Sequence, residues 1–113
     1  MSTRLATALF VNALMRSANA AGGHIMVLAR GDEIAGGLIL LCCEKGTLCA
    51  VYERSFDVDN NMVWHQNIDQ AIDNKEKIRN YLARRRDQDM DLWLVELDIP
   101  QAERFAADFI AHP

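Results

Sequence analysis

Gly36-Gly37-Leu38-Ile39-Leu40-Leu41-Cys42-Cys43, followed by Glu44-Lys45-Gly46-Thr47 and then by Leu48 to Phe56, is the stretch that decides the fold. An apolar run of this length, too short for a globular helix, reads as a buried strand, and the lysine-glycine segment supplies a tight turn into a second strand. Working outward, His24 to Arg30 is another run of β-forming residues, closed by Gly31-Asp32, so a first hairpin is expected before this one. Beyond it, Asp57 to Asn61 is a turn cluster and Met62 to Gln66 a short fourth strand.

Helices flank the strands. Leu5 to Ala18 projects Leu9, Phe10, Val11, Ala13, Leu14 and Met15 over a wide arc, with Asn12, Arg16 and Asn19 as a narrow polar stripe, and Gly22-Gly23 stops it. The same segment resembles a secretory signal ending in Ala18-Asn19-Ala20, but Thr7 and Asn12 interrupt its apolar core and Arg16 sits where a cleavage region is uncharged. A native first helix is therefore expected. Asn67 with Gln70 marks the start of a second helix, in which Ile68, Ala71, Ile72, Ile78 and Leu82 recur at helical spacing. Asp91 to Leu97 reads as a fifth strand. Asp98 with Gln101 then makes a capping box for a third helix carrying Ala102, Phe105, Phe109 and Ile110. The expected fold is a two-layer α+β domain of order αββββαβα, an antiparallel meander of four to five strands with three helices gathered on one side.

Length and composition bound the function. The 113 residues suit one domain, 1–113, and a chain that is 50% hydrophobic and 25% charged has the balance of an ordinary globular protein. A net charge of -4 disfavours non-specific nucleic-acid binding, which needs many Lys and Arg contacts to phosphates. No apolar run approaches the roughly 20 residues of a membrane-spanning helix. Three cysteines confined to Cys42, Cys43 and Cys49 make no disulfide framework, so a reducing, cytoplasmic setting and buried thiols are expected. A tight turn at Glu44 to Thr47 would set Cys42 opposite Cys49 and Cys43 opposite Leu48.

Several constellations invite a chemical reading. Asp87, Asp89, Asp91 and Asp98 have the spacing of a calcium loop, but Leu92 stands where its sharp turn needs glycine, so a solvated acidic turn is expected. Arg84, Arg85 and Arg86 fit the last turn of a helix, where cations complement the macrodipole. His24 and His65 could act as bases, yet no nucleophile-elbow, phosphate-loop, metalloprotease or dinucleotide pattern accompanies them. The sequence thus names no catalytic residue, metal ligand or cofactor. In the fifth strand, alternation sets Glu96 on an apolar face with Leu92 and Leu94, and an ion pair with Arg16 or Arg30 is the expected remedy.

The segments Phe10-Val-Asn-Ala-Leu-Met-Arg-Ser-Ala-Asn-Ala-Ala-Gly, Val27-Leu-Ala-Arg-Gly-Asp32, Ala35-Gly36 and Asp91-Leu-Trp-Leu-Val-Glu96 together resemble a small alphaproteobacterial family, domain of unknown function 1491. The resemblance runs from about Leu5 to Asp98; the Cys42-Cys43 pair and Asn67 to Lys77 are not part of it. It implies a bacterial cytosolic protein of about this length and brings no activity with it. Arg16, Arg30, Asp32, Gly36, Trp93 and Glu96 are the positions that match its pattern, and they are the candidate binding residues. The function expected is a non-catalytic binding or interaction module, self-associating as a homodimer through helix one, whose apolar arc exceeds what one sheet face covers. The alternative is a small enzyme or ligand-binding protein with a polar site near Arg16, Arg30, Asp32 and Glu96.

Overall fold

A computed structural model describes residues 5–59, 61–67 and 75–111. Its elements run α1 (Thr7–Ala20), β1 (His24–Ala29), β2 (Leu38–Glu44), β3 (Thr47–Phe56), β4 (Met62–Asn67), α2 (Lys75–Gln88), β5 (Trp93–Asp98) and α3 (Ala102–Ala111), the order expected of the α+β chain. The proposed helical segment around Ile68, Gln70, Ala71 and Ile72 lies outside the described residues.

The five strands form one sheet in the order β1-β5-β2-β3-β4. β2, β3 and β4 are the expected antiparallel meander. β1 is not hairpinned to β2, however. β5 lies between them, antiparallel to β1 and parallel to β2. Burial explains the insertion: Leu92, Trp93, Leu94 and Val95 are all buried, as are Leu38 to Cys43 of β2, and only neighbouring central strands can be covered on both faces. β1 alternates between exposed and half-buried residues and takes an edge.

Both faces of the sheet are covered, where helices on one side alone were expected. Leu38, Leu40, Cys42, Tyr52, Trp93, Val95 and Leu97 pack under α1 and α3, which contribute Phe10, Val11, Leu14, Ala18, Ala102 and Ala106. Ile39, Leu41, Val51 and Leu94 pack on the opposite face under Leu82 of α2, with Ile78 and Tyr81 beside it.

The β2–β3 hairpin turns through Lys45 and Gly46, both with positive φ (50° and 82°), the backbone a two-residue turn between twisted strands requires. Cys43 faces Leu48 as expected, but a bulge follows: Cys42 faces Ala50, and Cys49 becomes the extra residue, exposed rather than buried. Asp98 does not cap α3. Its carboxylate accepts the Lys45 and Gly46 N–H groups at 2.9 and 2.8 Å, while Gln101 donates its backbone N–H to Glu44 Oε1 at 2.6 Å. Two acids thereby tie the hairpin turn to the β5–α3 corner.

Candidate functional site

Four of the six candidate residues meet in one place. The connection from β1 to β2 crosses the start of β5, and it is held there by backbone chemistry. Asp32 donates its N–H to the Asp91 carbonyl at 3.0 Å, and the Trp93 indole N–H donates to the Asp32 carbonyl at 2.7 Å. The Asp32 carboxylate accepts the Ile34 and Ala35 N–H groups at 3.2 and 2.8 Å, which folds the loop into an Asx-type turn. Glycine is required at Gly31 and Gly36 by close approach: a Cβ there would stand 1.9 and 2.3 Å from the Asp91 carbonyl oxygen. The Arg30 guanidinium lies 4.8 Å from the Trp93 ring centroid, a cation–π contact over the buried indole.

The same loop caps α1. The helix has no side-chain N-cap; instead Thr7 and Ala8 donate their N–H groups to the Ile34 and Glu33 carbonyls at 3.3 and 2.9 Å, and the buried Thr7 hydroxyl donates to the Gly36 carbonyl at 2.6 Å. Carbonyls of the loop thus satisfy donors that a helix start leaves open. Arg30, Asp32, Gly36 and Trp93 form a structural clasp between loop, helix and sheet.

Arg16 and Glu96 stand apart from it. Arg16 is exposed on α1. Glu96 alternates with Val95 and so faces away from the α1 side of the sheet; the Cys43 thiol donates to its Oε1 at 3.5 Å. The ion pair with Arg16 or Arg30 does not form among the described contacts, because those arginines belong to the other side. Burial first, and then the Glu96 charge, push the Cys43 thiol up to about 12; burial does the same for Cys42. Both are poor nucleophiles in the folded chain.

The basic run at the end of α2 is spent on structure. Arg85 grips Glu53 with both nitrogens, at 2.8 and 2.5 Å, and donates to the Tyr81 hydroxyl at 2.6 Å. The Glu53 hydrogen bonds are the first cause of its raised pKa. Arg86 donates to the carbonyls of Met90 and Leu92, closing the loop into β5. In the acidic turn, Asp89 accepts the Asp91 N–H at 3.0 Å. Among the described residues no three His, Cys, Asp or Glu side chains converge as a metal site.

The surface itself presents a different feature. Met26 and Leu28 of β1 are 60% and 43% exposed, and Ile34, Met90 and Leu9 are exposed around the clasp. The start of β1 borders an open cleft of about 410 Å3 lined by Asn19, His24, Ile25, Met26, Glu96 and Asp98. Of the candidate residues only Glu96 reaches it. Sequence reading missed these apolar residues because a strand of the pattern His-Ile-Met-Val-Leu-Ala signals burial until its neighbours are known. It also missed Arg54, a fully buried arginine that donates to the Leu5 carbonyl and lies 5.4 Å from the Phe10 ring centroid. Among the described residues no helix is long and apolar enough to cross a membrane.

The model of the family described as protein of unknown function DUF1491 matches residues 5–107. An NMR structure of a DUF1491 family protein from Caulobacter crescentus aligns with a TM-score of 0.75 at 24% identity, over 92% of this chain and 94% of that one. A crystal structure of a DUF1491 family protein from the same organism gives 0.73 at 25%, over 90% and 94%. A solution structure of a protein from A. tumefaciens gives 0.70 at 26%, over 88% and 89%. No curated protein matches the chain.

Proposed function

The chain belongs to the DUF1491 family, whose function is unknown, and from that premise we propose that it is a non-catalytic interaction module that self-associates on the side of the sheet bounded by β1. The observation that carries this reading is an edge strand whose outward side chains, Met26 and Leu28, are apolar and exposed. Soluble proteins normally blunt such edges with charge or proline, and contiguous exposed apolar residues mark interaction sites.

Helix one has a smaller part than its sequence suggests. Phe10, Val11, Leu14 and Ala18 are buried, and the excess arc is taken up by α3 and β4, with Phe10 5.2 Å from the Phe109 ring and 5.3 Å from Trp64. Only Leu9 of α1 is offered to the surface as a large exposed apolar residue. An enzyme or ligand-binding site built from Arg16, Arg30, Asp32 and Glu96 has less support, since the clasp occupies Arg30 and Asp32 and only Glu96 lines the cleft. A reducing, cytoplasmic setting is part of the proposal. Cys42 and Cys43 are buried, Cys49 sits on the bulge, and none is joined to another.

Light scattering over a dilution series tests the reading. A mass twice the 12.7 kDa of one chain, falling only at high dilution, is expected; a monomer at every concentration overturns it.

A further inference from the structure

We propose that Met62 is a site of reversible oxidation by peroxide, and that the guanidinium of Arg54 holds the resulting sulfoxide. The site lies on β4, at the opposite edge of the sheet from β1, so it goes beyond the self-association reading and does not depend on it.

The register brings the two side chains together. Trp64 is the partner of Arg54 across β3 and β4, and Met62, two residues before Trp64, projects from the same face as both. Met62 is thus the diagonal neighbour of Arg54, within reach of a long side chain. The contact forms as the register requires: Arg54 Nε donates to the Met62 sulfur, while Nη2 of the same guanidinium donates to the Leu5 carbonyl ahead of α1.

Exposure sets this methionine apart. Arg54 is fully buried, whereas Met62 is 38% exposed, so its thioether is open to solvent and in contact with a fixed cation at once. Met26 and Met90 are more exposed, but their sulfurs accept no hydrogen bond among the described residues. Met15 is half-buried against the core.

A thioether is a weak acceptor, whereas a guanidinium bonds best to an oxygen that carries negative charge. Oxidation supplies that oxygen. The sulfur lone pair attacks hydrogen peroxide; an S–O bond forms as the O–O bond breaks, and the proton of the transferred hydroxyl passes to the departing hydroxide, which leaves as water. Sulfur is thereby oxidised to the sulfoxide and the peroxide reduced. Rotation about the flexible end of the side chain brings the new oxygen to Arg54. Sulfoxides usually disrupt the apolar packing of a methionine. Here the sulfur already faces a donor, so oxidation strengthens the tie between β4 and the buried arginine that holds Leu5 and lies 5.4 Å from the Phe10 ring centroid.

The test treats a chain carrying Met26→Leu, Met90→Leu and Cys49→Ser with hydrogen peroxide, since these substitutions remove the other exposed sulfurs among the described residues. Peptide mass analysis should find one added oxygen on Met62. The melting temperature should rise by about 4 °C and return after treatment with methionine sulfoxide reductases. Adding Met62→Leu to the same chain should abolish the rise. Met62→Gln, whose amide oxygen takes the place of the sulfoxide oxygen, should melt above Met62→Leu with no oxidant present. A Met62 that resists peroxide overturns the proposal, as does an oxidised chain that melts at or below its untreated parent. Equal melting of the Gln and Leu variants overturns the role given to Arg54.

Discussion

Replacing Gly36 by alanine should be among the most damaging single-methyl additions to this protein. The new Cβ would stand 2.3 Å from the Asp91 carbonyl oxygen and 2.8 and 3.0 Å from the Asp32 carbonyl oxygen and nitrogen, all backbone atoms that cannot rotate away. Overpacking of this kind costs about 2 kcal/mol. Relief requires moving the loop off β5, which strains the Thr7 hydroxyl bond to Gly36 and the Trp93 indole bond to Asp32, together worth about 1 kcal/mol if partly lost. A loss of about 3 kcal/mol corresponds to a melting point lower by about 12 °C for a domain of this size. Urea unfolding followed by tryptophan fluorescence reads it directly. Thr7→Val, which keeps the shape and leaves the Gly36 carbonyl without its donor, should cost about 1 to 2 kcal/mol by the same assay. If Gly36→Ala unfolds within about 0.5 kcal/mol of the parent, the loop is not clasped as described.

The thiols and the α2 anchor give two further tests. In native protein at pH 8, a thiol reagent should label Cys49 and reach Cys42 and Cys43 only as the chain unfolds; rapid labelling of all three would contradict their burial. Both buried thiols ionise in the unfolded chain near 9.0 but are pushed up to about 12 when folded, so the unfolded state sheds protons first. Stability should therefore be intact below pH 9 and fall above it, by at most about 1.4 kcal/mol per pH unit for each thiol. A slope unchanged in Cys42→Ala would assign that loss elsewhere. Glu53→Gln weakens the two-nitrogen grip of Arg85 and should cost about 1 kcal/mol at low salt. That difference should shrink in 1 M salt, and salt-independence would mean that packing at Leu82 and Tyr81, not charge, holds the helix.

Local chemistry made most of the elements legible. The Lys45-Gly46 turn, the apolar run into it and the helical spacing of α1 and α3 each act within a few residues, and each element stands where its residues indicate. Pairing is a property of the whole chain. Nothing within 30–37 states that this connection crosses β5, and the preference for sequential neighbours favours a β1–β2 hairpin. β2 and β5 are the strands buried on both faces and they pair at the centre of the sheet, but His24 to Ala29 is apolar on both faces as well, so the residue pattern does not single out the strand that yields the centre. The same fact calls for helices on both sides, and α2, with only Ile78, Tyr81 and Leu82 to offer, is enough to cover the second.

The candidate residues show why a motif is easier to see than its role. Arg30, Asp32, Gly36 and Trp93 stand out in the sequence because they match the pattern of the family it resembles. In the fold, the Asp32 carboxylate and the Trp93 indole are turned on backbone and Arg30 lies over the Trp93 ring, while the glycines permit an approach that any side chain would block. The residues best placed to meet a partner have no motif. Met26 and Leu28 are exposed because β5 displaced β1 to the edge, so the topological step that local sequence could not express is the step that creates the surface. Clasp and edge are thereby coupled. The loop that carries the chain over β5 also fixes where β1 ends, so if the chain self-associates at β1 as proposed, Gly36→Ala should lower the dimer fraction in light scattering although it changes no residue of β1.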